Sequence, residues 1–262
     1  MSIVSSETAA PSRVSVGRDI LAELRWTWTG RRDWLIGIGI NLLIGLAYVG
    51  YNDFNLTAHD YLTTATGVAA GIMMFVLSDT VTTNQLGPEA DRAISMLRSG
   101  TGVARILLLK NLALTTLLLP LALIISTGLR MLLHDDRTIV SAALLNIWIV
   151  VSWLAIGNVA SILAPYRPFP LKQRWRMRST WVWWIFVQAL PYALYFSRGW
   201  TIHPVINYAV KTMGSQFPRR EWVIASLYVA SSLIMLLISY AVCAAYGHFA
   251  AARLERDLAR QR

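Results

Sequence analysis

The 262-residue sequence predicts an all-α membrane protein: six transmembrane helices, an interfacial helix before the first, and a short charged helix between the second and third. Three observations carry that reading. The chain is 55% hydrophobic and only 15% charged, with mean hydropathy +0.48, more apolar than a soluble domain of this length requires. Six apolar runs approach the roughly 20 residues a helix needs to cross the hydrocarbon layer. One charged, helix-patterned stretch, GPEADRAISMLRSGTGVARILLLK at 87–110, stands between two of them.

Residues 1–33 read as a cytoplasmic N-terminus. Its first fifteen residues are polar and GRRDW precedes the first apolar run, which does not fit a cleavable signal. Ile20, Leu21, Leu24 and Trp28 recur at helical spacing with Arg18, Glu23 and Arg25 between them, the pattern of a helix lying in the headgroup layer. The spans are expected at 34–51, 62–82, 106–133, 139–164, 180–196 and 222–246, so 34–246 is the membrane domain and 247–262 a cytoplasmic tail. Gly67, Gly71 and Ser78 in the second span, and Gly157 and Ser161 in the fourth, are small residues that let helices approach closely in lipid. Pro120 and Pro191 are expected to kink the third and fifth spans. Aromatic residues crowd the two ends of the fifth, from Trp181, Trp183 and Trp184 to Tyr192, Tyr195 and Phe196, either as interfacial belts or as the wall of a path.

An even number of spans puts both termini on one side. Eighteen of the 24 lysines and arginines fall on that side and six on the other, which makes it cytoplasmic. The loop after the first span, NDFNLTAHD, holds no Lys or Arg, as an outer loop should. In the loop PYRPFPLKQRWRMRS at 165–179, three prolines end the fourth helix and five cations suit anionic headgroups, at about 1 kcal/mol each. The outer connection 197–221 mixes apolar and turn residues, a pattern compatible with partial re-entry. No nucleic-acid-binding motif accompanies the net charge of +10.

The insert reads as a helix over 88–99. Pro88 suits its first position, Glu89 and Asp91 complement the positive end, Arg98 the negative end, and Gly100 stops it. Ala90, Ala93, Ile94 and Leu97 at i, i+3, i+4 and i+7 form an apolar face opposite Asp91, Arg92, Ser95 and Arg98. Periodicity fits either a helix resting on headgroups or one that passes motion from a soluble partner into the bundle.

This topology, together with LGPEADRAISMLRSGTGVARILLLKNL at 86–112, resembles the membrane subunit of a type-2 ATP-binding-cassette exporter. In that family an acidic helix runs into a basic turn and the third span, and serves as the coupling helix that docks on the ATPase. GNVASILAPYRP at 157–168 is similar to a Gly-Asn-x-x-Ser stretch of such permeases, while the family's Glu-x-Gly-Thr form is missing at 89–92. The resemblance implies a bacterial plasma-membrane permease, multi-pass with both termini cytoplasmic, forming half of a translocation path. It implies a separate ABC ATPase subunit carrying ATP-Mg, a second permease subunit as homodimer or heterodimer, and surrounding membrane lipids. It also implies an ATPase interface at Glu89, Asp91, Arg92, Ser95 and Arg98, with Ile94 and Leu97 packing the coupling helix to the spans.

Other chemistries lack their motifs. No G-x-x-x-x-G-K-[ST] loop occurs, and GTG at 100–102 is not followed by the Lys-Ser/Thr pair that holds phosphate and magnesium, so the chain is expected to be no ATPase and to bind no cofactor itself. His59, His134, His203 and His248 form no H-E-x-x-H, and no G-x-S-x-G elbow is present. Cys243 is the single cysteine, and Asp135 and Asp136 read as turn residues. Asp79 is the one ionisable candidate within hydrocarbon, placed near the headgroups, which gives ion-coupled transport little footing. A non-transporting membrane scaffold, or a subunit of another membrane complex, is the alternative.

Overall fold

The computed structural model describes residues 16–29, 32–55, 65–77, 84–133, 139–165 and 220–259, with scattered positions between 189 and 212. Among the described residues the chain is helical, with no strand: α1 (Val16–Thr29), α2 (Arg32–Asn55), α3 (Ala65–Leu77), α4 (Ala90–Arg98), α5 (Val103–Leu133), α6 (Ile139–Leu163) and α7 (Arg220–Ala259). Three of these, over Val103–Met131, Ile139–Leu163 and Trp222–Ala259, are long and apolar enough to cross a membrane, and shorter apolar helices run over Leu35–Tyr48 and Val68–Leu77. The protein is therefore a membrane-embedded helical bundle. The expected span at 180–196, the loop at 166–179 and Asp79 lie largely or wholly outside the described residues.

Two layers of core are stacked along α5. Nearer its start, Val103, Ile106 and Leu107 meet Leu86, Ala90, Ala93 and Ile94 from the insert, Ile162 from α6, and Cys243, Leu254 and Leu258 from α7. Farther on, Leu114, Leu118 and Ala122 meet Met73, Val76 and Leu77 of α3 and Ile149, Val150, Trp153 and Leu154 of α6. Tyr195 stacks on the fully buried Trp153 at 4.8 Å and Tyr192 meets it edge-on at 5.6 Å, so these two aromatics are anchored against α6. Apolar side chains that point outward, such as Ile40 and Leu43 on α2 and Leu237 and Ile238 on α7, are what a lipid-facing surface requires.

Pro120 stands inside the continuous α5, and α7 leaves helical geometry at Ala250, with φ −132° and ψ 15°. The stretch expected as a cytoplasmic tail is helical through Ala259. Past Ala250 it continues as helix and turns Leu254 and Leu258, one turn apart, into the core beneath α4. Close helix approach falls at Gly45 rather than Gly71: a Cβ on Gly45 would sit 3.1 Å from the Ile72 backbone, whereas one on Gly71 would meet nothing within 4 Å.

Candidate functional site

The insert is seated before it becomes helical. Residues 84–89 are all buried, and Asn84 Oδ1 accepts the Gly87 N–H at 3.3 Å, closing a turn that Ala90 N–H to Gly87 O completes. Glu89, at φ −117° and ψ 38°, is the N-cap, so α4 begins at Ala90, two residues after the position proline was expected to open. Its other end follows the expectation for Gly100. That residue takes φ +84°, its N–H donates to Leu97 O, and the Thr101 N–H donates to Met96 O, both at 3.0 Å. This is the Schellman arrangement, and it requires the left-handed conformation glycine adopts freely.

A buried ion cluster fastens α4 to its neighbours. Lys110 Nζ, on α5, lies 2.9 Å from Glu89 Oε2 and 3.3 Å from Glu23 Oε1 of α1. Arg92 of α4 lies 2.7 Å from Glu23 and 3.5 Å from Glu89, with its guanidinium 5.0 Å over the Trp26 ring. Glu23, Glu89 and Lys110 are each at most 5% exposed. The four charges sum to zero, and charges this deeply buried persist only when paired and hydrogen-bonded. Lys110 sits seven residues into α5, about 10 Å along its axis, so it belongs to the helix interior and not to the basic turn.

The interfacial helix owes its orientation to the same cluster. Asp19, Glu23 and Trp26 fall at i, i+4 and i+7 on one side of α1 and face Arg105, Lys110 and Arg92 respectively; the Asp19–Arg105 pair is 3.0 Å. The apolar strip lies on the other side, with Leu21 exposed and Ile20 and Leu24 half-buried. The acids thus face protein and the leucines face outward, an arrangement suited to a headgroup-level helix.

Just above the ion cluster a chain of amides crosses the bundle. The Gln85 backbone N–H donates to Ser161 Oγ at 2.8 Å, and Gln85 Nε2 to Asn111 Oδ1 at 2.7 Å. Asn111 Nδ2 donates to Asn158 Oδ1 at 2.8 Å and to the Tyr240 hydroxyl at 2.7 Å. Asn158 Nδ2 continues to Ser239 Oγ at 2.9 Å, and Cys243 Sγ contacts the Asn158 carbonyl at 3.7 Å. In a bundle core each of these groups would be costly without its partner. Asn146 makes a separate contact to Ser126 at 2.7 Å, while Asn41 bonds only its own helix, at Gly37 O.

The expected interface residues divide. Glu89 is buried and Arg92 is three-quarters buried, both engaged in the ion cluster. Ile94 packs in the core at 3% exposure and Leu97 packs against it. Asp91, Ser95 and Arg98 remain on the exposed side, where Arg98 pairs with Glu255 of α7 at 2.6 Å. Sequence reasoning passed over Lys110 and Asn111, although a charged and an amide residue inside ILLLKNLAL is the sort of intramembrane polarity that marks a site. Among the described residues no group of three or more His, Cys, Asp or Glu could share a metal ion. No protein-family model, curated protein or solved structure matches the chain.

Proposed function

We propose that this chain is the membrane subunit of an ATP-driven exporter of the type-2 ATP-binding-cassette class, with α4 as its coupling helix. One observation supports this above all. α4 is held on its inner side by a neutral cluster of buried charges shared with α1 and α5, and on its flank by the end of α7, while Asp91, Ser95 and Arg98 stay outside. A helix so fastened cannot be pushed without moving the elements that hold it, because separating the charges would leave them unpaired in low dielectric. That is the property a transmission element requires.

In this reading six spans, including one at 180–196, form half of a translocation path, and a second permease subunit completes it. A separate ATPase holds ATP-Mg, grips the exposed face of α4 from the cytoplasm, and drives the bundle between inward- and outward-open forms. Asp91, Ser95 and Arg98 make the contact; Glu89 and Arg92 act behind it by fixing α4 to α1 and α5. The membrane is the bacterial plasma membrane, with both termini cytoplasmic. The test is purification of the full-length chain from its native membranes. An ATPase in stoichiometric amount, with hydrolysis that depends on this chain and is lost in an Asp91→Arg, Ser95→Trp variant that still inserts, supports export. Wild-type chain that carries no ATPase identifies a scaffold instead.

A further inference from the structure

The ion cluster and the amide chain meet at two consecutive residues of α5. Lys110 holds Glu89, the residue that opens α4, and Asn111 holds Gln85, four residues earlier on the same buried turn. From Asn111 the bonds pass to Asn158 on α6 and to Tyr240 on α7, and from Asn158 on to Ser239. Both ends of the Asn111 side chain are engaged, as are both ends of Asn158, and each bond is between 2.7 and 2.9 Å. Four separate stretches of chain are thereby joined by directional bonds among buried groups, Gln85, Asn111, Asn158 and Ser239 each being at most 3% exposed, where a lost partner is costly.

We propose that this amide chain makes the entry of α4 and the middle of α7 one mechanical unit, with Asn111 as the positioning residue at its hub. A shift of α4 moves Gln85, Gln85 pulls on Asn111, and the strain reaches Ser239 and Tyr240 through bonds that must either move together or break. The idea concerns this chain alone and stands whichever partner docks on α4. Apolar packing of Leu86 and Ala90 toward Cys243 offers a second route between the same elements. The experiment separates the two.

Cys243, the single thiol, is fully buried at the far end of the chain, against the Asn158 carbonyl, and reports on it without any engineered label. In full-length protein in membranes, the rate of its alkylation by N-ethylmaleimide follows local opening around α7. Glu89→Gln disturbs the seat of α4 without changing side-chain size. A Ser239→Ala, Tyr240→Phe double change removes both α7 ends of the amide chain and leaves the apolar route intact; Asn111→Leu removes the hub. We expect Glu89→Gln to speed alkylation in the wild-type background and to add much less in either other background, the rate effects failing to multiply by at least about threefold. If Asn111→Leu does not accumulate in the membrane, the Ser239→Ala, Tyr240→Phe variant decides by itself. Rate effects of Glu89→Gln and of that double change that simply multiply, or a Cys243 rate that Glu89→Gln leaves unchanged, would overturn the proposal.

Discussion

Replacing Lys110 with methionine keeps the length of the side chain and removes one charge from the cluster of Glu23, Glu89, Arg92 and Lys110. Among the described residues Arg92 remains, 2.7 Å from Glu23 but 3.5 Å from Glu89. Glu89, 5% exposed, then loses its closest cation. Breaking a buried pair in this way costs about 3–5 kcal/mol. The Arg98–Glu255 pair provides the internal contrast: its side chains are 66% and 30% exposed, so Arg98→Ala should cost no more than about 1 kcal/mol. A double variant, Lys110→Met with Glu89→Leu, restores neutrality, keeps the Glu23–Arg92 pair and should regain most of the loss, since apolar replacement of a whole buried pair is often close to neutral. The assay is reversible unfolding of the purified protein in mixed micelles. A single-variant loss below about 1 kcal/mol, or a double variant worse than either single one, would refute the claim that these charges are buried together.

Gly100→Ala should destabilise the end of α4 by about 1–2 kcal/mol through its left-handed φ of +84°, with no steric component because nothing lies within 4 Å, and Gly100→Asn should cost less; hydrogen exchange of residues 96–101 measures both. Gly45→Leu should force α2 away from Ile72 of α3 and lower the thermal stability, whereas Gly71→Ala, with open space around it, should leave it unchanged.

The sequence made some of this legible and hid the rest for definite reasons. Helix length and apolarity gave α5 and α6 nearly to their ends, because a bilayer-length apolar run has few alternatives to a helix. The apolar face of α4 was readable from Ala90, Ala93, Ile94 and Leu97, and its stop from Gly100, because both are local signals. The start was misplaced because Pro88 could as easily sit in a turn, and the buried side chains of Asn84 and Glu89 decide that it does. The engagement of Glu89 and Arg92 in the ion cluster was hidden for a deeper reason. Whether Glu89 and Arg92 face a partner or the bundle depends on Glu23 and Lys110, which come from other helices, and pattern within one helix cannot see them. The fold of the C-terminal tail had a faint local sign, Leu254 and Leu258 at i and i+4 among charges, which becomes decisive only once α4 is there to receive them.

The most direct measurement is the sidedness of Ser95, which lies on the exposed face of α4. With Cys243→Ala removing the native thiol, a Ser95→Cys variant is treated with a membrane-impermeant maleimide, either on intact cells or on inverted vesicles. Modification confined to the inverted vesicles is the result expected if α4 faces a cytoplasmic ATPase. Modification of intact cells would put α4 on the outer surface and contradict the exporter reading.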